Sequence, residues 1–178
     1  MQGGQGRVGD DTVPGSGADI TACTGVATSD GSTSAGILIT DYYGTGTVAE
    51  VYYSDIYSNS TGIYVGYADT DASQLTAQYN NIYNNTSYGI IALEATTVDA
   101  TLNYWGAADG PGGVAQGSGD AITDNVEVCP FYNDVVGTGV ATDCSVVVYE
   151  GPGHTTVRSS HIKVQQGIDA AIAGDKIV

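Results

Sequence analysis

Carboxylates are the first residues in this chain whose spacing could do chemistry. Asp69 and Asp71 form a D-x-D in the turn-like stretch YADTDAS, and Asp10 and Asp11 stand side by side near a Gly-rich start. Two carboxylates at a suitable separation can divide the acid and base roles of glycoside hydrolysis. Acidic turns are more commonly plain solvated surface, and both pairs are read that way. Asp109, Asp120 and Asp124 lie in a Gly-rich region whose carbonyls could join them around calcium. No EF-hand or nonapeptide pattern supports that set, so the three are calcium candidates only. His154 follows Gly153 in a Pro-Gly loop and His161 lies a little beyond it; neither is given a catalytic role.

Other side chains offer modification or binding. Asn59-Ser60-Thr61, Asn84-Asn85-Thr86 and Asn85-Thr86-Ser87 are sequons, which makes Asn84, Asn59 and Asn85 glycosylation candidates. Asn59 and Asn85 occupy equivalent places in a repeat, so a buried asparagine stack competes with a glycan there, and Asn84 is the better acceptor. Cys129 and Cys144 flank a Gly-rich loop and are the disulfide candidate. Cys23 is then left over, and its pairing with Cys129, Cys144 or another chain stays open. No CxxC or His-Cys spacing suggests zinc. Trp105 suits either a lid on packed coils or a stacking surface for sugar, packing being the commoner role beside a Gly turn.

Charge narrows the partners. The 178 residues carry 20 acidic and 4 basic side chains, a net charge of −16. The bases are Arg7, Arg158, Lys163 and Lys176, so nothing basic lies between Val8 and Val157. Nucleic acid and anionic lipid both need clustered cations, and neither is an expected partner. No apolar run is long enough to span a membrane. The start, MQGGQGRVGDD, has no apolar h-region and reads as carrying no secretory signal. With 42% hydrophobic residues, 26 Gly and 13 Tyr, the vocabulary is that of strands and turns around a real core.

The elements that must hold these residues recur. VYYSDIYSNSTGIYV aligns with AQYNNIYNNTSYGII: Tyr53 over Tyr79, Ile56 over Ile82, Tyr57 over Tyr83, Asn59 over Asn85. After one inserted residue, Gly62-Ile63 aligns with Gly89-Ile90. Upstream, Gly36-Ile37-Leu38-Ile39 aligns with Gly62-Ile63-Tyr64-Val65, and downstream VDATLNYWG follows LTAQYNNIY with Asn103 under Asn80. The period of about 23–27 residues lies in the solenoid range. One such unit cannot bury its own apolar face, but a stack can. Inward Ile, Val and Leu then pile rung on rung, and asparagines at matched turns hydrogen-bond along the stack.

NNIYNNTSYGI resembles the parallel β-helix repeat of pectin-lyase-like folds. The stretch 99–131, DATLNYWGAADGPGG to NVEVCPF, is similar to a motif of secreted right-handed β-helix repeat proteins of bacteria and archaea, where it closes the last coils. The resemblance implies an all-β, right-handed parallel β-helix over residues 1–150, with an irregular N-terminal segment, and a cap-like helix and strand over 151–178. It also implies polysaccharide chemistry as one function. Lyases of this kind use an Arg or Lys base with calcium on clustered Asp, and the cation-free stretch leaves no such base on the coils. A scaffold role is therefore favoured over an enzymatic one, with no cofactor beyond the calcium candidates.

The order of parts departs from that family. VQQGIDAAIAGDKIV resembles the helix-plus-strand cap that opens such domains, yet it stands at the C-terminus: Val164, Ile168 and Ile172 fall on one helical face, and Ile177 and Val178 begin a strand. The expected function is a structural subunit of the cell exterior that polymerises head to tail. The donor face would be Val164, Ile168, Ile172, Ile177 and Val178. The receiving coil would lie near Ile20, Val26, Ile37 and Ile39. The alternatives are a carbohydrate-active or carbohydrate-binding β-helix, or a piece of a longer tandem β-helix surface protein.

Overall fold

The computed structural model describes residues 4–25, 34–115 and 117–142, with the backbone of three further strands at 146–149, 157–161 and 176–177. The chain winds in rungs of three short strands. The first rung is β1 (Gln5–Val8), β2 (Asp19–Thr21) and β3 (Ala35–Ile39); the second is β4 (Val48–Tyr52), β5 (Asp55–Tyr57) and β6 (Thr61–Val65); the third is β7 (Gln74–Gln78), β8 (Asn81–Tyr83) and β9 (Tyr88–Ala92). Next come β10 (Thr97–Asp99), β11 (Gly112–Gly113), β12 (Ala121–Ile122) and β13 (Val126–Glu127). Corresponding strands pair in parallel, giving sheets β1-β4-β7-β10-β13, β2-β5-β8 and β3-β6-β9-β12-β11. Three stacked parallel sheets in register are compatible with a parallel β-helix.

The register is the one the repeat implied. Ile56 pairs with Ile82, and Tyr57 with Tyr83. Ile37, Leu38 and Ile39 pair with Ile63, Tyr64 and Val65, while Ile63 pairs with Ile90. Val98 and Asp99 lie against Leu75 and Thr76. Period-2 alternation sends one set of side chains inward. Val51, Ile56, Ile63, Val65, Ile82 and Ile90 are fully buried in one cluster, each large side chain contributing about 1.5–3 kcal/mol of burial. Gly62 is required by close approach, since a Cβ there would lie 2.6 Å from the Gly89 carbonyl oxygen.

The N-terminal segment departs from expectation. Residues read as irregular supply β1, paired with β4 from Gln5↔Val48 to Val8↔Val51, and β2, paired with β5 at Ile20↔Ile56. Matching side chains at Asp19-Ile20 and Asp55-Ile56 are present, but the long connections around β2 break the repeat spacing that makes other rungs legible.

The two ends of the stack differ. At the far end Trp105 and Phe131 are buried, and β14 (Phe131–Tyr132) pairs antiparallel with β15 (Ala141–Thr142). At the near end β1, β2 and β3 each hold the outside place in their sheets. Beyond, β16 (Val146–Tyr149) pairs antiparallel with β17 (Val157–His161) and with β18 (Lys176–Ile177). The sheet straddles the expected boundary at residues 150 and 151. The expected C-terminal helix lies outside the described residues. No helix among the described residues is long and apolar enough to cross a membrane.

Candidate functional site

Asp71 does not behave as a solvated turn carboxylate. It is buried, and its Oδ2 accepts from the Thr40 hydroxyl at 2.8 Å, the Asp41 amide at 3.0 Å and the Tyr67 amide at 3.1 Å. Oδ1 accepts from the Ser73 amide at 3.0 Å. Burial pushes this carboxyl up, but the donors of Ser73, the Asp41 amide and the Thr40 hydroxyl outweigh it and hold it below the ordinary range. One side chain thus clamps two successive turns, β3 to β4 and β6 to β7. Asp41 adds a reciprocal bond by accepting from the Ala72 amide at 3.3 Å.

The clamped turns display three tyrosines. Tyr42, Tyr43 and Tyr67 are 45%, 74% and 43% exposed. The Tyr42 ring lies nearly perpendicular to both others, with ring centroids 4.6 Å apart and interplanar angles of 83° in each pair. Tyr42 also donates its amide to the Thr40 hydroxyl, which ties the cluster back to Asp71. Other tyrosines are engaged differently. Tyr53 stacks on Tyr79 and Tyr57 on Tyr83, at 5.1 Å and nearly parallel, so those ring faces cover each other.

Two asparagine ladders run along the stack. In one, the Ser54 amide donates to Asn80 Oδ1 and the Asn80 amide to Asn103 Oδ1, while the Asn80 amide group reaches the Val51 carbonyl and Asn103 Oδ1. In the other, the Cys23 amide donates to Asn59 Oδ1, the Asn59 amide to Asn85 Oδ1, and the Asn85 amide to Asp120 Oδ2. Each rung bends beside its ladder through a left-handed residue: Tyr53, Tyr79 and Leu102 on one side, Ala22, Ser58 and Asn84 on the other. Asn59 and Asn85 are therefore buried as stack members, and Asn84 is exposed.

Asp120 ends the second ladder in place of an asparagine. Burial raises its pKa against the opposing donors of Asn85. Its ionised form is thus disfavoured in the fold, and stability linked to it is greatest on the acid side and falls as pH rises through the raised value. Asp120→Asn keeps an acceptor for Asn85, and by the ladder's own pattern its new NH2 faces the Ile82 carbonyl. The variant is expected to melt above wild type at pH 7, with the gap closing toward pH 4 in melts across that range. A wild type that melts higher at every pH would refute this role.

The remaining candidates separate. Asp109 accepts from the Ser118 amide and hydroxyl at 3.0 and 2.6 Å, Asp120 faces Asn85, and Asp124 is exposed. Among the described residues no three His, Cys, Asp or Glu side chains converge to hold a metal. Asp10 turns inward on Thr12, accepting from its amide at 2.9 Å and its hydroxyl at 2.6 Å. Arg7 bridges Asp11 and Glu50 and lies 5.1 Å over the Tyr52 ring. Trp105 is fully buried and presents no face to a sugar. Cys129 is disulfide-bonded and Cys23 is a free, exposed thiol. Cys144, Val26, His154, Val164, Ile168, Ile172 and Val178 lie outside the described residues. Ile20 and Ile37 are partly buried at the open rung, Ile39 is buried, and Ile177 pairs with Val148 of its own chain.

Sequence reasoning missed the Asp71 clamp and the tyrosine cluster. The signal for the first was Asp71-Ala72-Ser73, an Asx-turn pattern directly before a strand. Comparison with protein-family models, curated proteins and solved structures found no match.

Proposed function

We propose that the chain is a structural subunit of the cell exterior, a right-handed parallel β-helix that stacks head to tail. The observation carrying this reading is the first rung, whose three strands hold the outside places in their sheets among the described residues. β3 reads AGILI, without charge or proline, and it holds the outside place in its sheet. Ile20 and Ile37 are only partly covered beside it. Natural edge strands that avoid association are usually blunted by charge, proline or a bulge. The handedness follows the general rule for parallel crossovers. The bonded Cys129 supports an oxidising, extracellular setting. The donor is the segment 151–178 of the next copy, completing the rung by strand addition. A heterologous contact of this kind grows into a filament unless it closes.

One observation weighs against the donor half of the reading. β18 is already paired with β16 in its own chain, at Val148↔Ile177 and Tyr149↔Lys176, so donation requires exchange of that pairing. The test separates the halves. Sedimentation and negative-stain microscopy of the full chain are expected to show concentration-dependent linear oligomers. Ile37→Lys abolishes them, and so does deletion of 164–178. Survival of assembly after the deletion overturns the donor role, and a full chain that stays monomeric overturns the reading.

A further inference from the structure

We propose that Tyr42, Tyr43 and Tyr67 form a binding corner for a small organic cation of the methylated-ammonium class. This is independent of end-to-end assembly, since it uses side chains on the turns between rungs. Two perpendicular ring pairs around Tyr42 create a corner of aromatic faces rather than a flat platform. The rings stay exposed while their backbone is fixed by the Asp71 and Thr40 bonds. A flat platform suits the face of a sugar ring. A corner suits a compact, roughly spherical group whose charge is attracted by the electron-rich faces of several rings at once.

Charge selects the sign of the ligand. Asp41 and Asp69 lie on the same two turns as the tyrosines, in a chain of net charge −16. Arg7, the one base in the described residues 4–142, is held by Asp11 and Glu50. An anionic ligand would therefore meet repulsion, and a cation meets attraction from both the local carboxylates and the whole surface. A methylated ammonium also loses less hydration than a bare ammonium or a metal ion when it moves against aromatic carbon. Exposed cation–π contacts are individually weak, so affinity falls at about 1–20 mM.

The experiment is a nuclear magnetic resonance titration of the full chain at constant ionic strength with tetramethylammonium and choline chlorides. Its comparison arms are sodium chloride, the uncharged choline isostere 3,3-dimethylbutan-1-ol, and a neutral disaccharide. Saturable shifts at the amides of Tyr42, Tyr43 and Tyr67 with the two cations alone are expected. Tyr42→Leu and Tyr67→Leu each weaken them roughly two- to fivefold, the loss of one exposed contact. Both positions are exposed, and an unchanged melting temperature confirms that the variants fold. Equal response to the uncharged isostere overturns the proposal in favour of a plain apolar patch. A saturable response to the disaccharide alone, no saturation with either cation, or unaltered binding in both variants also overturns it.

Discussion

Asp71→Asn is expected to lower the melting temperature by roughly 5–15 °C, corresponding to about 2–4 kcal/mol for a chain of this length. The change is nearly isosteric, so the loss isolates hydrogen bonding. The carboxylate accepts from Thr40, Asp41 and Tyr67 at one oxygen and from Ser73 at the other. An asparagine can keep one oxygen. If it keeps the side facing three donors, its NH2 meets the Ser73 amide, donor against donor. If it flips, three donors lose their acceptor. Either arrangement leaves a buried donor unsatisfied and replaces charge-assisted bonds with neutral ones. The pH dependence follows from the lowered pKa of Asp71. A depressed folded value contributes stability that is fully present above the ordinary aspartate value, near pH ~3.9, and is lost as pH falls through the lower folded one. The gap between wild type and variant therefore holds from pH 7 to about 4 and narrows only below it. Thermal melts from pH 7 to below about 4, with amide exchange at Asp41, Tyr67 and Ser73, measure both parts. A variant melting within a degree of wild type at pH 7 would show that the clamp carries no stability. Because the same bonds fix the turns bearing Tyr42 and Tyr67, the variant should also loosen any ligand held by the tyrosine corner.

What the sequence revealed depended on whether a residue's role was local to its own rung. Ile56 over Ile82 and Asn80 over Asn103 were legible because each rung repeats the residue type at nearly constant spacing, and register then follows from alternation. In the first rung β3 was legible, but β1 and β2 were not, because ten residues separate β1 from β2 and thirteen separate β2 from β3, which breaks the period while leaving Ile20 over Ile56. Asp71 was misread because nothing in YADTDAS says that Thr40 and Asp41, thirty or so residues earlier, will stand directly behind it. The calcium candidates show the converse. Asp109, Asp120 and Asp124 are close in sequence, but among the described residues the Asp109 carboxylate takes Ser118, the Asp120 carboxylate takes Asn85, and Asp124 is exposed. The tyrosine corner falls out of the repeat's register, since the offset that pairs Ile37 with Ile63 sets Asp41, not Tyr42, over Tyr67.

Asn80→Asp tests the ladder by the same near-isosteric logic and with the opposite response to pH. Asn80 is fully buried at the middle of Ser54, Asn80 and Asn103. Its oxygen accepts from the Ser54 amide, and its NH2 donates to the Val51 carbonyl and to Asn103 Oδ1. A carboxylate there preserves the first bond and turns the other two into contacts between an anion and two acceptor oxygens. Burial and those acceptors both disfavour the charged form, so the introduced group takes a raised pKa and holds a proton where an exposed aspartate would not. At pH 7 the cost is about 3–5 kcal/mol, comparable to leaving an uncompensated charge inside. On acidification the protonated acid can donate once again, and part of the loss returns. The variant's deficit thus shrinks as pH falls from 7 to 5, in the range where the Asp71→Asn deficit stays constant. Asn103→Ala in the same background separates ladder coupling from simple burial, because residues sharing a hydrogen-bond chain are expected to be non-additive by about 0.5–3 kcal/mol. Additive losses, or an Asn80→Asp protein whose melting temperature follows wild type at every pH, would mean that the asparagines merely fill space, and the stack would owe its register to the apolar rungs alone.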